Sequence, residues 1–147
     1  MRPTLTEVLA FLAAEMPSYA SQVTSPFLKK QLSATAMTLS MISQDIDRAV
    51  PRRLEEAEAL RSLFRDALEV VADRELAAKL AIEAGRSSQD LRLSALDAEI
   101  DRLRDLLTRL HARVETLDSA AAAKINDAIW VELRLGTERR RTSFLKV

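Results

Sequence analysis

The stretch LSALDAEIDRLRDLLTRLHARVETL occupies residues 93–117. Leu93, Leu96, Ile100, Leu103, Leu107, Leu110, Val114 and Leu117 recur in it at intervals of 3-4-3-4-3-4-3. That spacing keeps the apolar side chains on one edge of an α-helix and leaves the charged ones outside. With Ser87 or Ser88 as its opening cap, the spacing predicts one long helix over about 88–117, ~45 Å in length. An apolar edge of that length has to be covered by other helices. Two coverings are open. Such seams are ordinary between neighbouring helices of one bundle. They also serve parallel homodimers, where each g position faces the e position five residues on in the partner. With Leu93 at a, the pairs Arg92–Asp97, Glu99–Arg104 and Arg113–Asp118 are all of opposite sign.

Outward from this seam the chain reads as helix throughout. Thr4 to Glu7 form a capping box, and Leu5, Val8, Leu9, Leu12 and Met16 follow at helical spacing up to Pro17, which is expected to stop the helix. Ser25-Pro26 starts a second helix carrying Phe27, Leu28, Leu32, Leu39, Ile42 and Ile46, expected to end near Ala49 before Pro51. A third is predicted over about 52–72, burying Leu54, Ala57, Leu60, Phe64, Ala67, Leu68 and Val71, with Arg65 and Glu69 paired on its other side. Asp73 either caps a further helix ending at Gly85 or lies exposed within a helix. After the long element, Asp118 or Ser119 caps a last helix that turns Ala122, Ile125, Ala128, Ile129 and Leu133 inward and stops at Gly136. The expected fold is an all-α antiparallel bundle of four to five helices, with a bundle domain over 1–136 and a basic tail over 137–147.

Composition supports helix and narrows function. The four prolines all lie in the first 51 residues and there are only two glycines, so β-turns and phosphate-cradling glycine loops have little to be built from. Cysteine is absent, which removes disulfides, thiol chemistry and thiolate zinc sites. With 22 basic and 22 acidic residues, no net field draws the chain to nucleic acid or anionic lipid. No run has the ~20 apolar residues that span a bilayer. The N-terminus lacks the pattern of a signal peptide, and a cytoplasmic location is expected.

Candidate sites are few. His111 is the single histidine, and Thr108 stands where a Glu-x-x-His motif needs its acid. Asp97, Asp101 and Asp105 form a ridge, interleaved with arginines, that reads as a solvated face. Arg139-Arg140-Arg141 could meet phosphates but has no aromatic ladder beside it, so nucleic-acid binding is the least supported reading. Trp130, between Ile129 and Val131, widens the apolar arc of the last helix and joins the seam as a candidate interaction surface. Phe27, Met37, Met41 and Phe64 could line an apolar pocket between helices, since methionine adapts to varied shapes. No catalytic residue, cofactor site or metal site is expected.

Arg2-Pro3-Thr4, Glu7-Val8-Leu9 and Phe11-Leu12, followed by Phe27, Ala34, Ala36, Leu39, Ile42, Asp45 and Ile46, resemble the first two blocks of a family of small bacterial all-helical proteins of unknown function. Members of that family are often encoded beside, or fused to, aminoglycoside-phosphotransferase-like kinases and acyl-CoA dehydrogenase-like enzymes. The resemblance extends loosely to about Leu135, and the arginine-rich tail departs from it. It implies an accessory role beside a partner enzyme and carries over no catalytic residue. The functional expectation is a non-enzymatic interaction protein, homodimeric and acting with a partner enzyme. The alternative is a carrier or sensor of small molecules.

Overall fold

Thr4 begins the first helix as its sequence dictates. Its hydroxyl accepts from the Glu7 backbone N–H, and the Glu7 carboxylate accepts from the Thr4 backbone N–H at 2.7 Å. The computed structural model describes residues 2–141. Among them 81% helix and no strand are found, in five helices: α1 Leu5–Gln22, α2 Pro26–Ala67, α3 Arg74–Ala84, α4 Leu93–Val114 and α5 Ala120–Arg139. The chain is an all-α protein.

Several boundaries differ from the expectation, each for a physical reason. α1 passes through Pro17, and α2 passes through Pro51 as a single helix of 42 residues. Proline removes one N–H from the ladder and costs ~3 kcal/mol in a helix interior. Apolar positions continue in phase on both sides of each proline, and packing outweighs the local penalty. α2, not α4, is therefore the longest helix. α4 begins at Leu93 rather than at Ser87 or Ser88, and Arg92 occupies its N-cap without a side-chain cap. Asp90 substitutes: it accepts from the Arg92 backbone N–H at 3.0 Å and pairs with the Arg92 guanidinium. Those hydrogen bonds hold its carboxyl down at about 2. Asp73 and Ser119 do cap α3 and α5.

α5 continues past Gly136 to Arg139. The Arg139 guanidinium grips Glu132 at 2.5 and 3.2 Å, and the Arg140 guanidinium lies over Gly136. Arg139 and Arg140 thus belong to the helix and its cap. The last six residues of the expected basic tail, 142–147, lie outside the described residues.

The chain divides into two compact units, with the division between Ala49 and Val50, inside α2. In the first, α1 and the leading part of α2 are joined by three residues, which makes them antiparallel neighbours. Ser43 donates to the Thr6 carbonyl at 3.2 Å and Thr6 donates to Asp47 at 3.1 Å. The second unit, Val50–Arg141, holds the core. Ala57, Leu60, Phe64 and Ala67 of α2 meet Leu80 and Ala84 of α3, Ile100, Leu103, Leu107 and Leu110 of α4, and Ala122, Ile125 and Ile129 of α5. Each large side chain so buried stabilises by roughly 1.5–3 kcal/mol.

Arginine–carboxylate pairs surround this core. Glu56 is held by Arg104 and Arg140, Glu83 by Arg86 and Arg102, and Arg61 by Glu99. Ser88, expected as a helix cap, bridges Arg61 and Glu99 instead. Arg65 pairs with Glu58 rather than with Glu69.

Candidate interaction surface

The leucine seam of residues 93–117 is core, not surface. Leu96, Ile100, Leu103, Leu107, Leu110 and Val114 are buried within the single chain, and Leu117 packs against the same cluster. Leu93, at the first turn of α4, is exposed. The charges that would have paired two seams are also spent within the chain: Asp97 on Arg53, Glu99 on Arg61, Arg104 on Glu56 and Arg92 on Asp90. The packing of α4 against its own neighbours thus covers this seam within the chain.

The four residues offered as a pocket lining fall in two different units. Phe64 is completely buried in the core of the second unit. Phe27 and Met37 stand open in the first unit, 67% and 55% exposed, with Met41 half-buried. Trp130 is 57% exposed and meets the His111 ring edge-to-face at a centroid distance of 5.3 Å. Val131, Leu133 and Leu135 are exposed beside it, so Leu133 does not turn inward as expected. Among the described residues no cluster of three acids or histidines could hold a metal, the Asp97–Asp105 ridge included. No described helix is long and apolar enough to cross a membrane.

The open apolar surface is concentrated in the first unit. Of its described residues only Ser43 and Ala49 are buried. Among the described residues, nine of the sixteen exposed large hydrophobic side chains lie between Leu5 and Ile42. The reason is visible along α1, which carries two seams. Thr6, Leu9, Ala13, Met16 and Ala20 are half-buried at 3-4-3-4 spacing, and the Thr6–Ser43 bond places this side against α2. Leu5, Val8, Leu12, Glu15 and Tyr19 repeat the same spacing one residue earlier, and all but the half-buried Glu15 are exposed. Phe11, 63% exposed, widens it. An open groove of about 830 Å³ lies along it, lined by Arg2, Pro3, Thr4, Glu7, Val8, Phe11 and Leu12.

α2 is doubled in the same way. Leu32, Ala36, Leu39, Ser43 and Ile46 face α1, all at least half-buried. Phe27, Lys30, Ala34, Met37 and Met41 form an outer seam with four of the five exposed. Each outer seam contains one charge, Glu15 on α1 and Lys30 on α2, and neither has an ion-pair partner among the described residues. Glu7, at the edge, has its carboxyl lowered by the Thr4 backbone N–H that it accepts in the capping box. The sequence signal for this surface was the excess of apolar residues on α1, more than one seam needs. No protein-family model, no curated protein and no solved structure matches the chain.

Proposed function

We propose that the chain is a non-enzymatic interaction protein, working in the cytoplasm beside a partner enzyme, and that the α1–α2 hairpin is its working part. One observation carries this reading: the second unit closes a core of its own, whereas the first leaves an apolar side open on each of its helices. Exposed patches of this extent mark association surfaces on proteins that otherwise cover their apolar side chains. The buried carboxylates Glu56, Glu83 and Glu132 are each neutralised by arginine, as in structural ion pairs.

The test is capture from native lysate by the immobilised full chain, with Phe11→Glu as the comparison. The reading requires the captured species to be lost with the variant while its far-UV circular dichroism is unchanged. An identical captured set from both proteins would overturn it.

A further inference from the structure

We infer that a second copy of this chain covers the α1–α2 hairpin, the two hairpins meeting across a single side on which α1 and α2 lie next to each other. The inference rests on the reading of the hairpin as an interaction surface, and it names the partner and the side it takes.

The side follows from helix geometry. Each residue turns an α-helix by about 100°. In an antiparallel pair, facing residues have numbers with a constant sum, and equal rotations away from the contact line reach the same side of the pair. Ser43 bonded to Thr6 gives a sum of 49, and Met16 opposite Leu32 gives 48. On α1, Leu5, Leu12 and Tyr19 stand one residue before Thr6, Ala13 and Ala20 of that line. On α2, Thr35 and Ile42 stand one residue before Ala36 and Ser43, and Leu28 comes one heptad before Thr35. The two sets therefore share a side. They also share a register, for Leu5 with Ile42, Leu12 with Thr35 and Tyr19 with Leu28 all sum to 47. All six residues are exposed, the five apolar ones by 39% to 62%, and the exposed Val8 lies among them. Phe27, Lys30 and Met37 lie on the far side of α2 and take no part.

This side is its own complement. Leu12 and Thr35 mark its middle. One heptad to either side stand Leu5 and Tyr19 on α1, and Leu28 and Ile42 on α2. A two-fold axis through the middle, running across the helices, carries the side onto itself. It sets Leu5 on the partner subunit's Tyr19, Leu28 on the partner subunit's Ile42 and Leu12 on the partner subunit's Leu12. Glu15, the charged residue of α1 at the edge of this side, falls beside the partner subunit's Val8 and not beside a second acid. The product has four helices, each antiparallel to both of its neighbours, as in up-down bundles.

Size agrees with this occupant. Side chains of these types hide roughly 100–200 Å² when fully buried. Six apolar ones, each about half open, offer ~450 Å² of apolar surface per chain. A homodimer interface of standard size needs about 500 Å², since it takes ~800 Å² from each partner and about 65% of that is apolar.

Sedimentation equilibrium of the full-length chain across the micromolar range tests this. A dimer is expected. Leu12→Glu should weaken dimerisation at least about tenfold, because it sets two carboxylates against each other at the axis. Thr35→Leu should tighten it several-fold, because it completes the apolar heptad of Leu28 and Ile42. Met37→Glu, on the far side of α2, should leave it unchanged. Far-UV circular dichroism reports that each variant is folded. A monomeric wild-type chain would overturn the inference, as would a dimer indifferent to both Leu12→Glu and Thr35→Leu, or one that Met37→Glu weakens as much as Leu12→Glu does. If the wild type is monomeric yet lysate capture remains sensitive to Phe11→Glu, self-association fails and the interaction role stands.

Discussion

Nε of Arg104 donates to Oε1 of Glu56 across 2.8 Å, and the same oxygen accepts from Arg140 at 3.2 Å. The Glu56 side chain is 8% exposed, whereas both arginines reach the surface. The carboxylate is thus the shared and dry member of the group. Glu56→Gln should cost about 1–3 kcal/mol, because two charge-assisted bonds weaken at once. Arg140→Ala should cost less than about 1 kcal/mol, as a half-exposed pair does. Urea denaturation of both variants checks the order, and equal losses would contradict it.

Phe64 stands at the centre of the second unit's core with no solvent exposure. Phe64→Ala should destabilise by about 3–5 kcal/mol, combining lost transfer energy with the cavity left behind. Thermal unfolding followed at 222 nm is the measurement. A loss below about 1 kcal/mol would mean that the α2, α3, α4 and α5 side chains around it can collapse inward.

Gly136 lies in the middle of the last turns of α5 with no positive φ. A Cβ there would come to 3.5 Å from the Arg140 guanidinium, an ordinary contact. Gly136→Ala should therefore stabilise by about 0.5–1 kcal/mol through helix propensity and reduced unfolded-state entropy. Slower amide exchange at Thr137 and Glu138 would accompany it.

Acid should remove the contribution of three exposed, hydrogen-bonded carboxylates only below their ordinary range. Asp90, held down at about 2 by the Arg92 side-chain and backbone donors, contributes stability that is complete above its ordinary value of 3.8 and disappears as the pH falls through about 2. Glu7 and Glu75, lowered by Thr4 and by Lys79, have the same sign. Carbon-detected NMR titration of Asp90 checks this, and Arg92→Ala should return its midpoint toward 3.8.

The all-helical class, the Thr4 cap and, apart from Leu93 and Leu133, the inward faces of α4 and α5 were legible because they depend on local chemistry and period, whereas Asp73 stayed open between a cap and a mid-helix residue. Pro17 and Pro51 misled. A local rule counts the missing N–H but not the apolar phase that continues beyond it. Ser87 and Ser88 misled in another way, since a hydroxyl that can cap a helix can equally bridge Arg61 and Glu99. The leucine seam, read as a candidate interaction surface, is core for a related reason. The regular leucines of α4 are the strongest pattern in the chain, and strength of pattern measures burial, not availability. The surface left open is the weaker pattern on α1, where Leu5, Val8, Leu12 and Tyr19 duplicate a seam that Leu9 and Met16 already satisfy.

The arginine–carboxylate pairs around α4 also solve a problem that leucines create. A helix with apolar residues every seven positions could slide by seven along its neighbours and still set leucine against leucine. Such a slip would strand Arg61, whose partner Glu99 lies on α4, and would take Arg104 from Glu56 and Arg102 from Glu83. An unpaired buried charge costs several kcal/mol, far more than the slip itself. The charges therefore act as index marks on a repeating scale. They add little net stability, but they admit only one of the alignments that the hydrophobic pattern would tolerate.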